Sequence, residues 1–424
     1  MGVLTFDGTD YPDGHDSDPR ALGWMQGSPP PPDKRIVFQG DQFARFPELR
    51  WSLSHARELR PTVNVWRGPM APIALGEPPH AYGESAIDEF TFTDMQGAQR
   101  RWLDSLFDTY TDGILVLHRG RRVYERYLGV LRPERPHACF SITKSYAATL
   151  AAMLVHDGTL DAGRTVTHYL PEMRGTAYED ATLRQVLDMQ VGLAYSELYS
   201  DSQADVWNYS RAGGFRDRSP GYQGPDNLYD YLRTLRKDGE HGQAFAYKTV
   251  NTEVLCWVMK RATGVGLADM LSQRIWSPLG CEQDGYLGVD TLGVPMGGGG
   301  LNATLRDLAR FGEMLRCDGA WHGVQRVPAA VVADIRGGGD PAKFAKADYP
   351  LLPGYSYRNM WWVTHNEADA FEARGIHGQR LYIAPKAEMV VARFASQPIA
   401  ASSANEPIIQ PALLALGRML RAGR

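Results

Sequence analysis

The order of elements along this sequence predicts an α+β fold: one antiparallel sheet assembled from both ends of the chain and flanked by helices, with an α-helical lobe inserted between. Three observations carry that expectation. Apolar residues recur with period two over residues 114–127 and again over 357–394, and helical spacing dominates the stretch between them. At 424 residues the chain has room for a large core, as one two-lobed body or as two domains.

Residues 1–95 read as an irregular arm. The run Pro29-Pro30-Pro31-Pro32 must be extended, Arg50–Arg60 has room for a helical turn or two before Pro61, and Phe43, Phe46, Trp51 and Trp66 are suited to wrapping a larger body. Residues 96–424 then form the main domain, with an α/β lobe of about 96–140 plus 285–424 and a helical lobe of about 141–284. Trp102, Leu103, Leu106 and Phe107 predict a helix within 97–109. Ile114–Leu117 and Val123–Tyr127 predict a hairpin turning at Arg119-Gly120-Arg121. Helices follow at 183–189, 228–235, 250–262 and 267–276. Between Tyr195 and Gly224 the composition is rich in Ser, Tyr, Gly and Asp and predicts a long loop. Gly297–Gly300 leads into 301–315, where Asn302 or Thr304 caps a helix with Asp307 in its first turn. Strands are expected at Tyr357–Val363, Arg380–Ile383 and Met389–Phe394, and a last helix from about Pro407 to Leu420. There is no internal repeat.

Composition narrows the function classes. A formal charge of −4 without long runs of one sign argues against a nucleic-acid partner. The opening MGVLTFDGTDYPDGHD has neither a basic nor an apolar leader region, and no stretch reaches the roughly 18 apolar residues of a membrane span, so the expectation is a cytoplasmic protein without a membrane partner. Cys139, Cys256, Cys281 and Cys317 include no C-x-x-C and suit a reducing compartment. The 11 histidines show no metal-site spacing, and G-K-[ST] is absent after the glycine run, so neither a metal nor another cofactor is expected.

The chemistry is concentrated in His137-Ala-Cys-Phe-Ser141-Ile-Thr-Lys144. An apolar run at helical spacing (Tyr146, Leu150, Met153, Leu154) starts just behind Ser141, so Ser141 stands at a helix N-terminus with its own N–H among the unpaired donors there. Lys144 lies one turn along the same face. S-x-x-K alone is a weak signal, since a capped helix with a solvated lysine gives the same four residues. Two facts raise it: of all the lysines only Lys144 has a serine three positions before it, and its helix is otherwise apolar, where a lone charge is costly. Serine plus lysine then reads as nucleophile plus base. Cys139 has no base beside it in sequence and is the weaker nucleophile candidate. Such a pair needs an acid for the leaving group and donors for an oxyanion. Tyr247, just before a helix, and Arg374-Gly-Ile-His-Gly-Gln379, just before a strand, are the candidates; taken alone, a tyrosine at a helix start is usually packing, and a plain hairpin accounts for the second equally well.

Taken together, Ser141-Ile-Thr-Lys144, Tyr247 before Asn251-Thr252, and Gly375-Ile376-His377-Gly378 resemble the class C β-lactamase-like serine hydrolases, which include DD-peptidases and esterases. Gln185-Val-Leu-Asp-Met-Gln190, Arg306-Asp-Leu-Ala-Arg310 and Gly375–Gln379 are similar to the 6-aminohexanoate-dimer hydrolases, amidases of nylon oligomers with side activity on carboxylate esters. The resemblance runs from about residue 97 to the C-terminus. It implies the serine β-lactamase-like fold, with the site between sheet and helical lobe, and no cofactor. It also implies Ser141 as nucleophile, Lys144 as base, Tyr247 as proton carrier to the leaving atom, and the N–H groups of Ser141 and Ile376 as oxyanion hole. Tyr195 is the expected contact for a substrate amide N–H and Asp205 for a substrate ammonium, with His377 also at the substrate. Thr249 where β-lactamases carry Asn, the missing K-T-G lysine, and Gly298 at a position that is polar in the amidases speak against β-lactam hydrolysis. The expected partner is a small amide or ester, with a homodimer as one option. The competing readings are a carboxylesterase without useful amidase activity and a catalytically silent peptide-binding protein.

Overall fold

The computed structural model describes residues 2–6, 8–77 and 84–422. Its centre is an antiparallel sheet of seven strands: β1 (Thr111–His118), β2 (Arg121–Tyr127), β3 (Ser356–Arg358), β4 (Trp361–Val363), β5 (Phe371–Gly375), β6 (Gln379–Ala384) and β7 (Met389–Ala395), in the order β3-β4-β5-β6-β7-β1-β2. Both ends of the chain meet where β7 pairs with β1, Val391 opposite Val116. Alternate side chains of β1 point to opposite faces. Ile114 and Val116 pack with Trp102, Leu413 and Leu416 on one face, and Leu115 and Leu117 join Phe311 and Met314 on the other. The helix Trp102–Asp108 and the C-terminal helix Glu406–Ala422 therefore cover one face and the helix Leu305–Arg316 the other. Thr304 is the residue that caps the last of these, accepting from the Asp307 N–H.

Between β2 and β3 the described residues form helices and short strands, none of which joins the main sheet. The helix Ile142–His156 is buried from Ile142 to Leu154. A helix apolar all round must be surrounded, and this one lies between β5 and β6 on one side and the helices Val250–Thr263 and Leu267–Leu271 on the other. The last of these does not continue to Trp276 as a regular α-helix: Ser272–Trp276 is a π turn.

Other departures from the expected elements have visible causes. Tyr357–Val363 is two strands, because Asn359 and Met360 adopt left-handed conformations with φ of 47° and 56°. That turn is held from outside: the Asn359 N–H donates to Asp188 Oδ1 at 3.1 Å, Arg184 donates to Asn359 Oδ1 at 2.7 Å, and the Met360 N–H donates to the Leu187 carbonyl at 3.0 Å. β5 escaped the alternation rule since Glu372 and Arg374 point into protein. Arg374 donates to Glu372 Oε1 at 3.2 Å, and both Arg374 and Arg380 donate to Glu406 of the C-terminal helix. Within 195–224 lies a helix, Asp205–Ala212, whose buried Val206, Tyr209 and Ala212 recur every third residue. In the N-terminal segment, Thr62–Val65 pairs with Gly285–Gly288 in a second sheet that continues through Leu301–Ala303 to His137–Ala138. Arg50, buried, donates to Ser17, to the Gly14 carbonyl and to Asp112 of β1.

Glu406 holds β5 and β6 to the C-terminal helix through two arginines, so removing it leaves two buried cations short of a partner. Glu406→Ala is expected to cost about 3–5 kcal/mol, read as a lowered urea midpoint; a midpoint equal to wild type would show the cluster contributes nothing.

Candidate active site

Ser141 is the N-cap of the buried helix, and Phe140 before it has φ 45°. The chain enters through His137–Ala138, which pairs with Leu301–Ala303, and the Cys139 N–H donates to the Leu301 carbonyl at 2.9 Å. This pairing lays the glycine run 297–300 alongside the serine. One turn into the helix, Lys144 Nζ lies 2.7 Å from Ser141 Oγ and 2.5 Å from the Gly298 carbonyl oxygen, with the residue only 1% exposed. Burial lowers its pKa from the usual 10.5 to about 8, opposed by the negative charges of Glu197 and Glu253. A neutral amine is therefore accessible near neutral pH, and its lone pair can take the Ser141 hydroxyl proton. The Tyr247 ring lies 5.0 Å from Lys144 Nζ, and its hydroxyl is near enough to Ser141 for that side chain to act on its titration. Burial, followed by Glu197, pushes the Tyr247 pKa well above 10. Tyr247 is thus a neutral phenol, able to hand on a proton but not to act as the resting base.

A third segment reaches the serine at the end of β5. A Cβ on Gly375 would stand 2.6 Å from the Cys139 carbonyl oxygen, so only glycine lets this strand end approach the serine turn. Among the described residues, neither the Ser141 N–H nor the Ile376 N–H has an acceptor. Two unpaired donors beside a nucleophile suit a developing oxyanion. His377, at φ 61°, fixes this turn: its Nδ1–H donates to the Gln397 carbonyl at 2.8 Å and its N–H to the Ala400 carbonyl at 3.1 Å. Burial lowers its pKa to about 4, so the ring is neutral. The Cys139 thiol is fully buried and burial pushes its pKa far up, which leaves it inert.

Neither residue expected at the substrate's far end hydrogen-bonds to Ser141, Lys144 or Tyr247. Tyr195 is buried, its hydroxyl without a hydrogen-bond partner among the described residues and within electrostatic reach of Glu197, Tyr231, Tyr209 and Tyr199, and Lys248 donates to its carbonyl. Asp205 accepts the Ser196 N–H at 2.8 Å and lines a cleft of about 410 Å³ with Asn208, Tyr222 and Arg236, which none of Ser141, Lys144 and Tyr247 lines. Beyond Ala194, which bridges to Arg236, the loop brings Glu197 and Tyr199 to the segment that carries Tyr247. Glu197 accepts the N–H of Thr249 at 2.6 Å and also its hydroxyl, and Tyr199 donates to Glu197 Oε1 at 2.9 Å, within electrostatic reach of Tyr247. Thr249, at the position of the β-lactamase Asn, is thereby spoken for.

Sequence reasoning also passed over Glu253. It is buried in Val250–Thr263 and accepts the N–H groups of Gly297 and Gly298 at 2.9 and 2.8 Å and the Tyr209 hydroxyl at 2.5 Å. The signal was there: it is a lone charge in the run Thr252-Glu-Val-Leu-Cys-Trp-Val-Met259, the same criterion that raised Lys144.

The beta-lactamase family model matches residues 103–414. The 6-aminohexanoate-dimer hydrolase of Paenarthrobacter ureafaciens is 33% identical over 359 residues, covering 84% of this chain and 88% of that protein. Esterase EstB of Burkholderia gladioli is 26% identical over 205 residues, covering 45% of this chain and 49% of its own. A Bacillus anthracis structure with the provisional name 6-aminohexanoate-dimer hydrolase superposes with a TM-score of 0.83 at 29% identity, over 92% of this chain and 99% of that one. Among the described residues no helix is long and apolar enough to cross a membrane.

A lysine with a pKa of about 8 is mostly protonated below that pH and mostly neutral above it. Covalent labelling of Ser141 by a fluorophosphonate is expected to rise with pH and level off above about 8. A rate constant that stays flat between pH 5 and 9 would exclude Lys144 as the proton acceptor.

Proposed function

Because the chain belongs to the beta-lactamase family of serine hydrolases, in its 6-aminohexanoate-dimer hydrolase branch, we propose that it cleaves short linear amides and short-chain carboxylate esters through an acyl-enzyme on Ser141. The observation that carries this reading is the Lys144 amine, buried and 2.7 Å from Ser141 Oγ. Neutral Lys144 takes the hydroxyl proton as Oγ attacks the substrate carbonyl carbon. The negative charge that develops on the carbonyl oxygen meets the N–H groups of Ser141 and Ile376. Lys144 then returns the proton, through the Tyr247 hydroxyl, to the leaving nitrogen or oxygen, and the amine or alcohol departs. Water, losing a proton to the same lysine, attacks the ester carbon, and the acid leaves as Ser141 recovers its proton.

An amide carries an N–H that an ester lacks, and in this reading Tyr199 receives it. Tyr199 donates its own hydroxyl hydrogen to Glu197, which leaves its oxygen lone pairs for an incoming N–H. Tyr195 and Asp205 have no part in this reading, since neither hydrogen-bonds to Ser141, Lys144 or Tyr247. His377 serves by holding the Ile376 turn.

The test is hydrolysis of the linear 6-aminohexanoate dimer beside p-nitrophenyl acetate and butyrate. Wild type should turn over both kinds of substrate, and Ser141→Ala neither. Tyr199→Phe should lower kcat/KM for the dimer about tenfold and leave the esters within about twofold. Turnover of the esters alone would make the protein a carboxylesterase on the same machinery, and full activity in Ser141→Ala would end the serine mechanism.

A further inference from the structure

Gly298 provides the carbonyl that binds the Lys144 amine, and that carbonyl is itself steered from behind. Glu253 reaches from the helix Val250–Thr263 with one carboxylate oxygen on the Gly297 N–H and the other on the Gly298 N–H, while the Tyr209 hydroxyl donates to the second oxygen. The two backbone N–H groups can only donate, and hydrogen bonds of this kind favour the carboxylate form. Burial nonetheless pushes its pKa up, opposed by these same hydrogen bonds. The fit is tight: a Cβ on Gly298 would strike Thr249 and stand 2.8 Å from both Glu253 Oε1 and the Tyr209 hydroxyl. In this chain the side-chain volume missing at position 298 is taken up by Glu253 and Tyr209.

We propose that Glu253 is a positioning residue of the reaction: by clamping the Gly297 and Gly298 amides it aims the Gly298 carbonyl at Lys144, which turns the amine's lone pair toward Ser141, and by its charge it sets the pH at which that amine becomes neutral. This rests on Lys144 being the base, as proposed above. The amine accepts one proton from Ser141, and it can do so only with its lone pair on the serine side. The Gly298 carbonyl, 2.5 Å away, occupies one of its N–H bonds and so removes a rotamer in which the lone pair points elsewhere. Other groups facing the lysine are Glu197 from the 195–224 loop, which like Glu253 raises its pKa, and the neutral phenol of Tyr247. Tyr209 and Tyr199 lie behind the two carboxylates as hydroxyl donors.

The experiment compares kcat/KM against pH for p-nitrophenyl acetate in wild type, Glu253→Gln and Tyr209→Phe, with the Tm of each. Glu253→Gln keeps the shape, loses the charge and turns an amide N–H₂ against a backbone donor. Its plateau should fall about tenfold or more, and the acid limb should move to lower pH by about one unit, since an anion that favoured the ammonium has gone. Tyr209→Phe removes one donor and keeps the charge, so it should lower the plateau by less and leave the limb within a few tenths of a unit. A Glu253→Gln enzyme with an unmoved limb, whether its plateau and Tm fall or not, overturns the proposal, because loss of packing alone scales the curve without shifting it. Loss of the acid limb in wild type would instead remove Lys144 as base, a separate failure.

Discussion

The structure around Ser141 depends on keeping one amine in a place where charge is costly. Lys144 sits in a helix buried on every side, and a lone ammonium there would carry a heavy desolvation penalty. The penalty is offset incompletely, by a carbonyl at 2.5 Å and by carboxylates that are near but engaged with other donors. An unshielded carboxylate in direct contact would make the lysine a permanent cation, and full isolation would leave it too weak a base to hold a proton at all. Glu197 and Glu253 each spend their oxygens on Thr249, Tyr199, Tyr209 and the glycine amides. Their field at the lysine is thereby moderated, and the amine titrates near neutrality.

Five stretches of chain meet around Ser141 and that amine, and two sheets position three of them. The short sheet from Thr62 to Ala138 pairs the approach to Ser141 with the segment following the glycine run. The main sheet ends β5 at Gly375, whose missing side chain lets the Ile376 turn close on Cys139. The 195–224 loop supplies Glu197 to the N-terminus of the Tyr247 helix, satisfying a backbone donor that the helix itself leaves open. The first two contacts are backbone hydrogen bonds or a close approach of glycine, and the third fixes a side-chain carboxylate by two hydrogen bonds to Thr249.

Much of this was legible beforehand because the signals are local. Period two marked β1, β2, β6 and β7, helical spacing marked the serine helix and the Tyr247 helix, and S-x-x-K set both residues on one turn. Where local pattern and tertiary contact disagree, the contact wins. β5 carries Glu372 and Arg374 inward because Arg380 and Glu406 wait for them, and Asn359 and Met360 break a run of strand formers because Asp188, Arg184 and Leu187 hold the turn.

The substrate end of the site shows the same division. Sequence alone determined the order of strand-forming and helix-forming stretches and the helix with Ser141 and Lys144 one turn apart, since these follow from spacing within a few residues; Tyr247 and Gly375-Ile376 joined them only through the resemblance to a family. Only the tertiary structure decided which tyrosine and which acid of the 195–224 loop reach the start of the Tyr247 helix. Tyr195 and Tyr199 differ by four positions in an irregular segment with no period to orient them, and the choice is made by Glu197 binding Thr249, more than 50 residues on. The same holds for Glu253: its helix is plain in the sequence, but the donors that make its charge tolerable come from the glycine run and from Tyr209, which meet it only in the folded chain.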